Sequence, residues 1–252
     1  MGHRRKKFVS PWHFDPCTLW GYWKAPPLPE IDLDELCRTM RDGDILLFRA
    51  NGLYAWMEDF WTDSTVSHVA MGLRHPDTNE PLVVEATLGG ERARDVRTKR
   101  VMEGPMIVPL AERVTTYLQH YGFDVRYRPL CPGERTDPQI AAERRRVVWD
   151  AMDNKLRENV GFDSGPLDLM AANAHYLAFA PTCCWWPEAT YNSRRAQFCS
   201  SLVAEQLQAT GIMRPERPFC TYAPKDFAYD TQDLLLDDAA CYGHEFRVVY
   251  YV

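Results

Sequence analysis

The feature that most restricts the fold of this chain is a pair of apolar segments joined by a short polar connector. The segments "VSHVAMGLR" (66–74) and "PLVVEATLG" (81–89) flank "HPDTNE" (75–80). Short apolar runs of this kind are typical of buried strands, and Pro, Asp and Asn in the connector favour a turn. The sequence therefore predicts an antiparallel hairpin inside a sheet.

Alternation along the first strand places His68 on the same face as two small residues, Ala70 and Gly72. Small residues allow another element, such as the N-terminus of a helix, to come close. If the hairpin turns at the midpoint of the connector, Glu85 lies opposite Ala70 and diagonally from His68. Diagonal neighbours are about 7–8 Å apart, which a long side chain can span. A slip of one residue would put Glu85 on the other face.

Further strands and helices are predicted along the rest of the chain. Strands are expected within "RDGDILLFRA" (41–50) and at "MIVPL" (106–110) and "EFRVVYYV" (245–252), and helices at "DLDELCRTM" (32–40), "AERVTTYLQHYG" (111–122) and "PQIAAERRRVVWDAMDNKLRENVG" (138–161). Gly161 is expected to close the last of these helices. A turn and a short helix are expected at "APKDFA" (223–228). This order predicts an α+β fold with a mostly antiparallel sheet.

Three regions are distinguished by composition. Residues 1–30 are rich in Pro and Trp without a period, which indicates an extended or disordered N-terminal arm, and residues 31–252 are expected to form a single domain. The basic cluster "HRRKK" in the N-terminal arm is more typical of a solvated tail than of a phosphate or membrane contact. Residues 162–195 form an irregular aromatic insertion, in which Trp185 and Trp186 either pack as a loop or wall a pocket for an apolar acyl group.

One further predicted helix carries the residue most suited to nucleophilic chemistry. "FCSSLVAEQLQATG" (198–211) predicts a helix that begins at Cys199 and ends at Gly211, with Leu202, Val203 and Leu207 on its buried side. A helix N-terminus carries partial positive charge and unpaired N–H groups, which favour a thiolate and can stabilise an oxyanion. A nearby His68 would be the general base, oriented by Glu85.

Each of these residues also has an ordinary structural interpretation. A free cysteine is among the most buried residue types, and a single strand histidine is usually just hydrogen-bonded. Glu85 is less ordinary, because a carboxylate in an apolar strand needs a partner. Together the three residues favour a catalytic site. A weaker alternative uses Cys184 with His175 as base, but no helix start is predicted at Cys184 and Pro187 follows it closely.

Charge and cysteine content exclude several classes of protein. The net charge of −6 argues against a nucleic-acid-binding protein. Eight cysteines are too few for a disulfide scaffold, and they show no zinc-site spacing; the close pair Cys183 and Cys184 does not make a metal site alone. No apolar run reaches the roughly 18–20 residues of a membrane span, and "MGHRRKKFVSPW" lacks the apolar core of a secretory signal. Free thiols in the cytoplasm are the expectation.

The segments "GDILLFR", "SHVAMGL", "VVEAT" and "FCSSLVAEQLQATGI", followed by "APKDFA", resemble a known family. They are similar to the circularly permuted branch of the NlpC-like, papain-fold cysteine hydrolases, with its YiiX-like and poxvirus-type members, and more distantly to lecithin:retinol acyltransferase. The likeness covers residues 40–90 and 196–228. In ordinary papain-like chains the cysteine helix precedes the histidine strand, whereas here it follows.

The resemblance implies that Cys199 is the nucleophile, His68 the base and Glu85 the residue that orients the base. The family often has an acidic residue two positions after the cysteine, where this chain has Ser201. It also implies thiol-based hydrolysis of an amide, peptide or ester bond through a thioester, on a peptide or acyl-lipid substrate and without a metal or organic cofactor.

Two other functions stay open at this point. An acyltransferase would use the same residues but pass the acyl group to a second substrate. A non-catalytic structural or scaffold protein, in the cytoplasm or in a virus particle, would use the N-terminal arm to dock onto a larger assembly. The reactivity of Cys199 relative to the other cysteines would separate an enzyme from a scaffold.

Overall fold

The computed structural model describes residues 7–8, 28–49, 66–87, 92–131, 137–162, 196–229, 234, 236–238 and 240–251. Several predictions lie outside these ranges: most of the arm 1–30, nearly all of the insertion 162–195 with Cys183, Cys184, Trp185 and Trp186, and the alternative base His175.

The described part of the chain contains ten strands and four α-helices. The strands are β1 (Lys7–Phe8), β2 (Glu30–Asp32), β3 (Ile45–Arg49), β4 (His68–Arg74), β5 (Pro81–Thr87), β6 (Gly104–Pro109), β7 (Asp124–Arg128), β8 (Gly161–Phe162), β9 (Ala196–Gln197) and β10 (Phe246–Tyr251). The helices are α1 (Leu33–Thr39), α2 (Leu110–His120), α3 (Pro138–Arg157) and α4 (Cys199–Ala209). Short 3₁₀ turns occupy Phe219–Thr221 and Pro224–Phe227.

The main sheet has the strand order β1-β10-β7-β3-β4-β5-β6, and β2 pairs in parallel with β10. The other pairs of this sheet are antiparallel. Strands β8 and β9 form a short parallel pair. The predicted α+β class with a mostly antiparallel sheet is therefore confirmed.

The hairpin of β4 and β5 has the register expected from its connector. Met71 pairs with Val84 and Gly72 with Val83. Continued toward the start of β4, this register places Glu85 opposite Ala70 and two residues from the position opposite His68. His68 and Glu85 therefore share one face of the sheet.

The helices cover both faces of the sheet. The face of β4 that carries Val69 and Met71 belongs to one apolar cluster with α4 residues such as Leu202 and Leu207. The opposite face, with Ala70, packs against α1 and α2. The small residues that share the face of His68 therefore lie against α1 and α2, not against the body of α4.

The space beside Gly72 is filled by the end of α1 instead. A Cβ added at this glycine would lie 2.8 Å from the carbonyl oxygen of Arg41 and 3.0 Å from the sulfur of Met40. Such distances are below normal van der Waals contact, so the position requires glycine. The small side chain serves the packing of α1 rather than the approach of α4.

The two predicted helix ends have different outcomes. Helix α4 ends at Ala209 and is followed by Gly211 with φ of 69°, as predicted. Helix α3 ends at Arg157, and Asn159 takes the left-handed conformation with φ of 54°. Gly161 does not close this helix, because it already lies in β8 opposite Ala196.

Strand β7 was not predicted from the sequence. Its segment "DVRYR" alternates Val125 and Tyr127, which lie in the core, with three charged residues, and most of it is buried. Arg126 pairs with Asp124 and with Glu245, and Arg128 donates a hydrogen bond of 2.7 Å to the carbonyl of Phe227. The charged face of this short strand is stabilised by ion pairs and hydrogen bonds, while Val125 and Tyr127 on the other face pack in the core.

Two observations bear on the arm and on membranes. Residues 7 and 8 of the arm lie at the edge of the sheet, where Lys7 pairs with Tyr251 and Phe8 with Tyr250. Within the described ranges, none of the helices combines the length and apolar character that crossing a bilayer requires.

Candidate active site

Helix α4 begins at Cys199, and the preceding Phe198 has an extended backbone with φ of −80° and ψ of 163°. The hydroxyl of Ser201 accepts a hydrogen bond of 3.0 Å from the Phe198 N–H and donates one of 3.0 Å to the Phe198 carbonyl. Ser201 therefore fixes the entry to the helix, at the position where the resembling family often has an acid. The N–H groups of the first turn have no carbonyl within the helix to bond.

The Cys199 thiol lies close enough to the His68 imidazole to raise the pKa of His68 through its charge and through hydrogen bonding. Cys199 is 7% exposed and the His68 side chain 13% exposed, so both groups are close to the surface but largely covered. Cys199 is the first residue of α4 and His68 the first of β4. The two groups meet where these elements begin, although the body of α4 lies against the other face of the strand.

One ring nitrogen of His68 contacts the carboxylate of Glu85. Nε2 of His68 lies 2.9 Å from Oε2 of Glu85. This contact leaves Nδ1 as the ring nitrogen for the sulfur of Cys199. The imidazole also packs near the rings of Phe48 and Tyr117, at centroid distances of 5.3 and 5.9 Å. The ring is therefore held on both its polar and its apolar sides.

The other oxygen of Glu85 contacts Arg113 of α2. Oε1 of Glu85 and Nε of Arg113 form an ion pair in which both side chains are fully buried. The guanidinium also donates to the sulfur of Met106 at 3.4 Å and lies 5.0 Å from the centre of the Tyr117 ring. One buried carboxylate thus links the imidazole to a buried cation.

Arg113 was not identified from the sequence, although a signal for it existed. In α2 the buried positions include Leu110, Val114, Tyr117 and Leu118, which recur at helical spacing. Arg113 falls on this same stripe, and a charged residue on an apolar stripe needs a buried partner. The partner itself, on a strand elsewhere in the chain, is not given by the spacing.

The charges of this cluster shift two pKa values. Burial acts to raise the pKa of Glu85, but the Arg113 charge and the contact with His68 outweigh burial and lower it below its ordinary value. Burial acts to lower the pKa of His68, but Cys199 and Glu85 outweigh it and raise the pKa to about 10. At neutral pH the site therefore holds an ionised carboxylate and a charged imidazole.

The described ranges contain no cluster of three or more His, Cys, Asp or Glu side chains suited to a metal ion.

Gln197, two residues before Cys199, is a further buried polar side chain. Its Nε2 donates a hydrogen bond of 2.6 Å to Oε2 of Glu205. The same oxygen forms an ion pair of 2.6 Å with Lys155. This network supports the segment that leads into α4.

Comparisons with known proteins include a distant structural likeness. No family model matches the chain, and no curated protein matches it. A solved structure that does match is metalloprotein yiiX from Escherichia coli O157:H7, described as DUF1105. The two chains are 14% identical, the match covers 81% of this chain and 96% of that one, and the TM-score is 0.40. At this level no residue role is transferred from one protein to the other.

Proposed function

We propose that this protein is a thiol-dependent hydrolase that cleaves an amide, peptide or ester bond through a thioester on Cys199. The observation that carries the proposal is the continuous contact from the Cys199 sulfur through His68 to Glu85, with the sulfur at a helix N-terminus. A nucleophile, a base and a group that orients the base are the parts this chemistry needs.

In the proposed reaction His68 holds the thiol proton and the sulfur of Cys199 attacks the substrate carbonyl. The first-turn N–H groups of α4 face the oxyanion that develops, and one such donor typically contributes about 10²–10³-fold to the rate. His68 then gives its proton to the leaving group, and a thioester remains. Water attacks the thioester with His68 as base, which releases the acid and restores the thiol.

Glu85 keeps the imidazole in one orientation and stabilises its charged form. Arg113 is proposed to be a positioning residue, because it keeps the Glu85 carboxylate ionised without reaching the sulfur. The support is that both charges are fully buried and in contact. An acyltransferase would follow the same steps until an acceptor other than water reached the thioester.

Alkylation of individual cysteines tests the proposal against a scaffold function. The folded chain is treated with a small haloacetamide at neutral pH, and labelling of each cysteine is followed by mass spectrometry. Cys199 is expected to react fastest despite its low exposure, and His68→Ala is expected to slow it at least about tenfold, since a positioned base typically contributes about 10²–10⁴-fold. Cys220→Ser, at a half-buried cysteine, is the control and leaves the Cys199 rate unchanged. Uniformly slow labelling favours the scaffold.

A panel of peptides and acyl esters then identifies the reaction. Turnover is expected for the wild-type chain and not for Cys199→Ala. Addition of alcohol or amine acceptors separates the two enzymes: a transferase forms the acylated acceptor in preference to the free acid, whereas a hydrolase does not.

A further inference from the structure

Two cysteines outside the candidate active site lie opposite each other in a short antiparallel contact. Leu130 and Tyr242 form an isolated antiparallel bridge. The Cys131 N–H donates a hydrogen bond of 2.7 Å to the carbonyl of Cys241. The Gly243 N–H donates a hydrogen bond of 2.8 Å to the carbonyl of Pro129. These contacts fix a register in which Cys131 faces Cys241 directly.

This register meets the Cα-separation requirement for a disulfide. Directly opposed residues of a hydrogen-bonded antiparallel pair have Cα atoms about 5.5 Å apart and side chains on the same face. Disulfides join Cα atoms roughly 4.4–6.8 Å apart, most often about 5.5–6 Å. The Cys131 and Cys241 side chains also lie close enough to interact, because Cys241 is the main cause of the raised pKa of Cys131. A bond between the sulfurs therefore requires little movement of the backbone.

The two thiols are also accessible, and they differ from each other. Cys241 is exposed and Cys131 is partly exposed. The hydrogen bond to Cys241, together with partial burial, raises the pKa of Cys131 to about 11. Because a thiolate is the attacking species, Cys241 is the sulfur expected to react first with an oxidant in solution.

We propose that Cys131 and Cys241 are a covalent modification site that forms a reversible disulfide at the expense of a small disulfide such as glutathione disulfide. The Cys241 thiolate attacks one glutathione sulfur, forms a mixed disulfide and releases one glutathione thiolate. Cys131 then loses its proton and displaces the second glutathione. Both protein thiols are oxidised, one glutathione disulfide is reduced, and two glutathione molecules leave.

The bond would join distant parts of the chain. It closes a loop of roughly 110 residues that contains α3 and α4, and long loops gain the most from closure in the chain-entropy account. Oxidation is therefore expected to raise the midpoint of thermal unfolding by about 5–10 °C. This modification does not depend on the proposed hydrolase function.

The test uses the full chain carrying Cys199→Ala, which removes the candidate nucleophile from the analysis. Reduced protein is equilibrated with glutathione buffers of increasing oxidation, trapped with acid, digested without reductant and analysed by mass spectrometry. A peptide linked through Cys131 and Cys241 is expected, together with the rise in thermal midpoint, and both are reversed by dithiothreitol.

Two variants make the result decisive. Cys131→Ser is expected to stop at a mixed disulfide of glutathione on Cys241, whereas Cys220→Ser is expected to form the linked peptide normally. The proposal is overturned if the chain with both cysteines accumulates only the mixed disulfide. It is also overturned if Cys241 links to a cysteine other than Cys131.

Discussion

At the scale of single residues, the site is organised around one buried carboxylate. Glu85 is fully buried, yet its pKa is lowered, because it contacts His68 through one oxygen and Arg113 through the other. Neither the carboxylate nor the guanidinium would be stable in the core alone, since an unpaired buried charge is costly. Their pairing fixes the position from which Glu85 orients the imidazole.

Replacing Arg113 with Met is therefore expected to affect both stability and His68. Loss of the cation removes one of the two charges that stabilise the buried Glu85 carboxylate, which should cost about 3–5 kcal/mol of unfolding free energy in a denaturant titration. The pKa of Glu85 then rises, and the pKa of His68 shifts from its wild-type value because the charges around the imidazole have changed. The pKa of His68 is measured by NMR of the ring protons, and a merely structural arginine would leave it in place. Arg113→Lys, which keeps the charge, should retain most of both properties.

The charged state of His68 also predicts a dependence of stability on pH. Its folded-state pKa of about 10 lies above the ordinary value of about 6.5. The charged imidazole therefore contributes fully to stability below pH of about 6.5, and the contribution is lost as the pH rises through about 10. Thermal midpoints of the wild-type chain and His68→Gln are compared from pH 6 to 10. The difference between them should shrink with rising pH; a constant difference would contradict the charge assignment.

At the scale of elements, the start of α4 decides where the sulfur is. Ser201 bonds both the N–H and the carbonyl of Phe198, so one hydroxyl sets the backbone that presents Cys199. This bond takes the place of a side-chain cap from Phe198, which has no polar group. The orientation of the sulfur therefore depends on a residue inside the helix.

Ser201→Ala is expected to weaken this helix start. Loss of a bond to the first turn typically costs about 0.5–2 kcal/mol, to be measured as a lower free energy of unfolding in urea. The alkylation rate of Cys199 should fall at the same time. Ser200→Ala, at the adjacent serine of the same turn, is the matched control and should change both quantities less. Equal effects of the two variants would show that the Ser201 bonds are not what fixes the helix entry.

The elements also show how far the sequence could be used to predict the site. The hairpin register followed from the turn chemistry of its connector, so the meeting of His68 and Glu85 was predictable. The face against which α4 packs was not, because both faces of β4 are apolar or small and alternation alone does not distinguish them. Strand β7 and Arg113 were missed for a common reason. Arg113 lies on the apolar stripe of α2, and Val125 and Tyr127 alternate with charged residues in β7, so both have a local period. The period does not give the partners of the buried charges, which lie on other elements.

At the scale of the whole molecule, the site exists only when the sheet is complete. His68 comes from an early strand and Cys199 from a late helix on the other side of β4, and they meet where both elements begin. Most of the hydrogen bonds and apolar contacts that hold them join segments distant in sequence. The special environment of the sulfur is therefore a property of the tertiary structure.

Unfolding should accordingly remove any advantage in reactivity that Cys199 has. In increasing urea, the ratio of its alkylation rate to that of the other cysteines is expected to fall along the same transition as the intrinsic tryptophan fluorescence. In the unfolded chain the eight cysteines should label at similar rates. A high rate at Cys199 that persists beyond the transition would assign the reactivity to local sequence instead.

The most direct test of the proposed hydrolase is capture of the acyl group on the sulfur. The folded chain is mixed with a series of activated acyl esters, quenched in acid within seconds and analysed by mass spectrometry of its peptides. A thioester on Cys199 is expected, which decays by hydrolysis and is strongly reduced in His68→Ala. Acylation spread evenly over the exposed cysteines, or equal on Cys199 with and without His68, would contradict it.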